Sequence, residues 1–253
     1  MITLDLEGSV ARLTIRRPHK RNAMTLAMWQ QLLQHSQTLA ATPQVRVAII
    51  RGEGGAFCAG ADIEEMAQIA QDPAALRAQH ALICQAQLAL ERLPQATIAA
   101  VDGPCFGGGF GIAAACDFRM ATPHSEFAIT PARLGIVYSV EDTRRVVALV
   151  GIARARRLLL RSERLVAQAA LGWGVVDRVV EPEAMDAELM AWGTQLARQS
   201  PTSVAGMKAT LGWLSGNGAH DEAQVRALAD AAFDSADFAE GTRAFLEGRA
   251  PRF

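Results

Sequence analysis

Tyrosine occurs once in 253 residues, tryptophan four times and phenylalanine nine times. Binding of single-stranded nucleic acid by base stacking on aromatic side chains is therefore a poor fit. Neither sign of charge dominates: 25 Lys and Arg against 26 Asp and Glu leave a net −1. No overall basic field exists to hold nucleic acid or anionic lipid, and only a local basic pocket stays open. Cysteine is sparse, at 58, 84, 105 and 116, with no CxxC pair and with apolar flanks such as Phe57-Cys58-Ala59. In a chain of this length the four read as buried reduced thiols rather than a disulfide framework. Uncharged apolar stretches are broken by Gly or Pro well short of the roughly 20 residues a membrane span needs. Met1-Ile2-Thr3-Leu4-Asp5 carries acid where a signal peptide carries base, so a cytoplasmic location is expected.

Several catalytic signatures are missing as well. There is no GxxxxGK[ST] string for a phosphate-cradling loop, no HExxH and no GxSxG. His19, His35, His80, His124 and His220 are scattered without Cys/His ligand spacing, and no metal site is expected. Gly109-Phe110-Gly111-Ile112-Ala113-Ala114 does match G-x-G-x-x-A after a strand. The acidic residue that should end a second strand about 20 positions on is not in place, because Glu126 opens a strand. A nicotinamide cofactor is thus a minor alternative.

What is present is a globular composition, half hydrophobic and a fifth charged. In the first half, strands are punctuated by glycine. Val10 to Ile15 alternates apolar and polar residues, Val45 to Ile50 and Thr97 to Val101 are short apolar runs, and Phe118 to Ala121 and Glu126 to Ile129 are two more. Helices are expected from Met24 to Leu39, from Glu64 onward, and from the Gly107-Gly108-Gly109 turn to Cys116. The second half is helical: Glu141 to Val150, Ala153 to Leu160, Glu183 to Arg198, Thr202 to Leu214 and Asp221 to Phe233, interrupted by a strand at Val175 to Val180. Strand, strand, helix recurs loosely, which predicts an α/β (α+β) spiral of ββα turns over residues 1–195. Residues 196–253 form a helical tail with apolar residues on more than one face (Leu228, Phe233, Phe238, Phe245), suited to packing on a partner subunit or back on its own core.

Two segments share one design: a buried strand, a glycine-rich turn and a helix start. One runs from Ile49 to Asp62 and the other from Val101 to Gly109. Glycine lets backbone approach closely. A helix start leaves amides without intrahelical partners at the positive end of the dipole. Two such amides converging make a site for a developing negative oxygen. Each loop alone is better explained by a tight turn beside a close-packed helix; the pairing shifts the balance to the site.

The strings Arg17-Pro18-His19-Lys20-Arg21-Asn22-Ala23-Met24, Gly55-Ala56-Phe57-Cys58-Ala59-Gly60-Ala61-Asp62-Ile63 and Asp102-Gly103-Pro104-Cys105-Phe106-Gly107-Gly108-Gly109, with Cys116-Asp117, Leu134-Gly135, Ala169 to Val176, Lys208 and Asp237 to Phe253, resemble the crotonase superfamily of enoyl-CoA hydratases and isomerases. The likeness runs through nearly the whole chain in order. It implies a ββα spiral with a C-terminal trimerisation region, a trimer or hexamer, and an acyl-CoA thioester as substrate, coenzyme A being part of the substrate and no separate cofactor required. It implies that the amides of Ala61 and Gly108 bind the thioester oxygen. Ala23, Ala59, Ala61, Asp62 and Ile63 would line the adenine and pantetheine side, and Lys20, Arg21 and Lys208 would meet the phosphates, unless these cations are only solvated surface.

The departures from the family are specific. Its hydratases use two glutamates to activate water and deliver a proton. The matching positions are Gly111 and Pro131 here, so the two-glutamate mechanism is not expected. Ser139-Val140-Glu141-Asp142 follows in the turn that faces the acyl group in the family. Ser139 and Asp142 fit a capping box, which accounts for Asp142. Glu141, preceded by Tyr138, is left as the single acid/base, or else as a surface glutamate favoured by the helix dipole. The expected activity is water addition or double-bond migration on a thioester enolate; a non-catalytic acyl-CoA binder is the alternative.

Overall fold

A computed structural model describes residues 1–253. The chain opens with strand β1 (Ile2–Glu7), which pairs antiparallel with β2 (Val10–Ile15). A single 3-10 turn at Pro18–Lys20 leads into helix α1 (Leu26–Ala40), capped by the Thr25 hydroxyl, which accepts from the Met28 amide. Strand β3 (Val47–Gly52) follows, then short α2 (Ile63–Gln68) and long α3 (Pro73–Glu91). Strands β4 (Ala96–Val101) and β5 (Pro104–Phe106) precede α4 (Gly108–Ala115). Strands β6 (Phe118–Ala121) and β7 (Glu126–Ala128) come next, then α5 (Val140–Arg161), β8 (Leu165–Val166), α6 (Ala167–Trp173) and β9 (Arg178–Val179). Four helices close the chain: α7 (Met185–Ala197), α8 (Pro201–Leu214), α9 (Glu222–Ala231) and α10 (Ala236–Leu246).

The strands form two sheets. The larger has the order β1-β2-β3-β4-β6-β9, parallel from β2 onward; the smaller is β5-β7-β8. Successive strands β3, β4 and β6 lie side by side in the large sheet. After β4 the chain crosses to β5 of the small sheet and then to α4, and after β6 to β7 and then to α5. After β3 only the Cys58 bridge to β5 precedes α2, so the expected ββα spiral is present with its first turn abbreviated.

Alternation along the strands divides the interior in two. On one face Ala48, Ile50, Ala99 and Val101 join a core of 36 buried residues with α1, α3 and α4. On the other, Val47, Ile49, Ile98 and Ala100 pack with Met185 and Leu189 of α7 in a core of ten. A sheet covered on both faces explains why β3 and β4 read as continuous apolar runs.

Several elements differ from the sequence expectation. The strand expected at Val175 to Val180 contracts to two residues, and the two helices at Glu141 to Val150 and Ala153 to Leu160 are one run bent at Gly151 (φ 72°, ψ 162°). Helix α3 was not expected. The expected division at 195/196 falls in the last turn of α7, so the helical tail begins with α8. That tail leaves Phe233, Phe238, Phe245 and Leu246 exposed, Phe245 at 84 %. No helix is long and apolar enough to cross a membrane.

Candidate active site

The two glycine-rich segments meet through backbone. Cys58 N–H donates to Pro104 O at 2.9 Å and Phe106 N–H to Cys58 O at 2.9 Å, a parallel bridge between Cys58 and Cys105. The approach is possible only because residue 109 lacks a side chain: a Cβ there would stand 2.2 Å from Cys58 O. Gly107 caps α4 at φ 49°, ψ −112°, a conformation that side-chain-bearing residues avoid. A second bridge ties the first loop to the start of α1: Met24 N–H donates to Gly60 O at 2.7 Å and Asp62 N–H to Met24 O at 2.9 Å. These bonds use the amides on either side of Ala61 and turn its own N–H elsewhere.

The Ala61 amide therefore has no acceptor within the chain, and neither has the Gly108 amide at the start of α4. The two lie together. A Cβ on Gly108 would stand 3.7 Å from Ala61 N, and one on Gly60 would stand 3.4 Å from Gly108 N. Both residues are half-exposed in an otherwise buried neighbourhood. Two donors without an internal acceptor thus lie side by side at the start of α4, free for an acceptor from outside the chain.

The surroundings are fixed by polar groups. Buried Asn22 (φ 57°) donates through Nδ2 to Glu53 O at 2.9 Å and Ala56 O at 2.6 Å, holding the first glycine-rich turn. Buried Asp62 caps α2 by accepting from the Glu64 and Glu65 amides and pairs with Arg17. Burial alone would push its carboxyl up, but Arg17 and the two amides outweigh it and hold the group below the usual carboxylate range.

Of the residues singled out from sequence, Lys20, Arg21, Ala23, Ala59, Ala61, Asp62 and Ile63 come together on this side. Ala59 N–H donates to Arg21 O at 3.0 Å, and Lys20 pairs with Glu64 at 2.6 Å, both exposed. Ile63 is half-exposed. Lys208 does not join them. Its ammonium donates to Gln95 O at 2.7 Å and pairs with Asp117, beside the start of β4 and so at the opposite end of that strand from Gly108. Its charge is neutralised there, which corrects the expectation of a phosphate contact. The G-x-G-x-x-A match dissolves as well. Gly109 and Gly111 lie inside α4, buried, where they admit neighbouring groups rather than a pyrophosphate.

On the other side of α4 the structure brings in groups that sequence reasoning undervalued. Gly111 sits one turn after Gly108, and a Cβ there would stand 2.6 Å from Asp142 Oδ1 and 2.2 Å from the Gln87 side-chain amide. Asp142 is 4 % exposed. It accepts from Ser139 Oγ at 2.9 Å and Arg145 Nη1 at 2.9 Å. Gln87, with its amide nitrogen turned to the carboxylate, donates to both Asp142 oxygens at 3.0 and 3.1 Å. Burial pushes the Asp142 carboxyl up, and Arg145 and Ser139 offset part of that rise. Ser139 caps α5 through the Asp142 amide, as a capping box requires, but the Asp142 carboxylate takes the Ser139 hydroxyl instead of a cap amide.

Glu141 is half-buried on the same first turn and has no hydrogen-bond partner. Tyr138 donates to Gly107 O at 3.0 Å, steadying the residue before the free Gly108 amide; burial drives its phenol well above the usual value. Pro131 opens a 3-10 turn, Pro131–Leu134, and offers no ionisable group. The signal that could have pointed to Asp142 is the glycine at 111, which leaves room for a carboxylate from another helix.

A family model described as enoyl-CoA hydratase/isomerase matches residues 5–253. The chain belongs to that family. A solved enoyl-CoA hydratase/carnithine racemase from Magnetospirillum magneticum is similar over all of this chain and 94 % of its own, at TM-score 0.92 and 33 % identity. A mevalonyl-coenzyme A hydratase of Aspergillus fumigatus is 33 % identical over 95 % of this chain and 90 % of its own. A trans-2-decenoyl-[acyl-carrier-protein] isomerase of Streptococcus mutans is 29 % identical over 100 % of this chain and 97 % of its own. The crotonase fold and an acyl-CoA type of chemistry thus stand on both sequence and architecture.

Proposed function

We propose that this enzyme binds an acyl-CoA thioester with its carbonyl oxygen between the Ala61 and Gly108 amides and stabilises the enolate formed there. The observation that carries this reading is the pair of adjacent amides, both without an internal acceptor. As negative charge develops on the thioester oxygen, both N–H dipoles are already aimed at it, and the start of α4 adds its positive end. Removing one such donor typically costs about 3 kcal/mol of transition-state stabilisation.

Lys20 and Arg21 are exposed beside Ala59 and Asp62 and fit the phosphate end of the ligand, with the backbone of Ala23, Ala59, Ala61 and Ile63 along the pantetheine. Gly111 and Pro131 cannot carry protons, so two-glutamate hydration is set aside. One acid from the first turn of α5, Glu141 or its neighbour Asp142, handles the proton, with Tyr138 holding Gly107. The exposed phenylalanines of the tail suit burial in a homotrimer or hexamer.

The test is titration with butyryl-CoA followed by turnover of a panel of enoyl-CoA thioesters by the wild type, Glu141→Gln and Gly108→Ala. Micromolar binding with turnover that falls in Gly108→Ala supports the reading. Binding with no turnover of any thioester supports a non-catalytic acyl-CoA binder, which the loss of both glutamates favours. No binding of any CoA ester refutes both.

A further inference from the structure

The side-chain space at Gly111 is occupied, although the residue itself is glycine. A Cβ there would collide with Gln87 of α3 and with the Asp142 carboxylate of α5. Residues 108 and 111 are one turn apart on one face of α4, so the space this carboxylate fills lies one helical turn from the free Gly108 amide. Its environment is built rather than incidental. Ser139, Arg145 and Gln87 converge on its two oxygens from the helix cap, from α5 and from α3. Glu91 in turn engages Arg145 at 2.8 Å and Arg144 at 2.6 Å, so Arg145 is shared between two acids and its charge is not spent on Asp142 alone.

We propose that Asp142, delivered from α5 into the space that Gly111 leaves open, is the catalytic residue that exchanges the proton on the α-carbon of the bound thioester, with Gln87 and Arg145 as positioning residues. The inference rests on the thioester reading above and assigns its acid/base. In the step, an Asp142 oxygen takes the α-proton and the C–H electron pair becomes the carbon–carbon double bond of the enolate. The carbonyl π pair moves to the oxygen held by Ala61 and Gly108. The proton then returns from Asp142 to the α-carbon, or to the γ-carbon of an enoyl chain, and the oxygen pair re-forms the carbonyl. Between the two transfers the Asp142 carboxyl proton exchanges with solvent, which is how deuterium from D2O reaches the α-carbon; no metal or second substrate enters.

The groups facing Asp142 are Arg145 and Glu141 on its own helix, Tyr138 before it, and Cys84 on α3, with Glu91 behind Arg145. Its burial places a proton-transfer group nearer working pH than a surface aspartate would be.

The experiment follows loss of the α-proton signal of butyryl-CoA in D2O by NMR, with affinity measured separately by calorimetry. Expected is exchange by the wild type that falls on the order of 100-fold or more in Asp142→Asn at unchanged affinity. Partial recovery is expected in Asp142→Glu, and only a few-fold change in Glu141→Gln. The rate of the wild type should rise with pH through one limb that Asp142→Asn lacks. Gly111→Ala, whose Cβ displaces the carboxylate without removing it, should also lose exchange while binding normally, and serves should Asp142→Asn fail to fold. Exchange retained in both Asp142→Asn and Gly111→Ala, or lost in Glu141→Gln instead, overturns the assignment. So does a wild type that binds butyryl-CoA but exchanges nothing, which leaves the thioester reading standing. A wild type that binds no CoA ester overturns that reading itself.

Discussion

The indole of Trp29 stands against Gly108: a Cβ at that glycine would lie 3.0 Å from its Cζ2 and 3.3 Å from its Cη2. Trp29 is fully buried and cannot swing away. Gly108→Ala must therefore shift the start of α4 and the amide it presents. Expected is a fall in kcat of roughly 100-fold or more, with a much smaller change in butyryl-CoA affinity. Steady-state kinetics beside calorimetry separate the two, and an unchanged kcat would exclude the Gly108 amide from the chemistry.

Gly109→Ala tests packing rather than chemistry. The added Cβ would meet Cys58 O, a backbone atom, at 2.2 Å. The Cys58–Cys105 bridge must open, and a loss of about 2 kcal/mol or more is expected in urea unfolding. Cys58→Ala should not rescue it, since the offended atom belongs to the main chain.

The Arg17–Asp62 pair predicts a pH dependence of stability. The Asp62 carboxyl is held below its ordinary value in the folded state, so its contribution is complete above the unfolded aspartate value, about pH 4. It is lost as pH falls through the lower folded value. Asp62→Asn keeps an oxygen for the α2 cap and removes only the charge. The gap in unfolding free energy between wild type and Asp62→Asn should be widest near neutrality and close below pH 4. A gap that grows on acidification would contradict the pairing.

Glu91 is the shared acid of Arg144 and Arg145, all three largely buried. Glu91→Gln leaves two guanidinium groups short of a countercharge and is expected to cost about 3 kcal/mol by chemical denaturation. Because Arg145 would then lean wholly on Asp142, the acid limb of the pH–rate profile should move to lower pH.

For assembly, Phe245→Asp together with Leu246→Asp should lower the molar mass measured by light scattering, as both side chains are four-fifths exposed in the lone chain. An unchanged mass would remove α10 from any subunit contact.

Much of the spiral was legible because its strands are short apolar runs bounded by glycine or proline. Phe118–Ala121 emerges with the bounds read from sequence. The pairing of the two glycine-rich turns was legible too, since glycine at 60, 107 and 109 reports backbone contact. Helix α3 escaped because its apolar residues sit among exposed alanines and glutamines, and its buried positions include Gln79 and Gln87, which no hydrophobic period marks. Lys208 misled because sequence shows a cation but not the Asp117 that neutralises it. Asp142 was discounted for a similar reason. The S-x-x-D string explains a cap, while the Gln87 and Arg145 contacts that raise the carboxylate above a capping role come from helical spacing and from another helix.

Burial pushes the Cys58 and Cys116 thiols to about 12 and the Cys105 thiol well above its usual value, whereas Cys84 is only half-buried, beside Glu141 and Asp142. A thiol-directed dye added to the native fold will accordingly stop at one label per chain, and it will land on α3 within sight of both acids. The molecule thus carries an intrinsic attachment point, slow at neutrality because partial burial and then its anionic neighbours raise the thiol, whose labelling rate responds to the charge state of the α5 turn without any engineered residue.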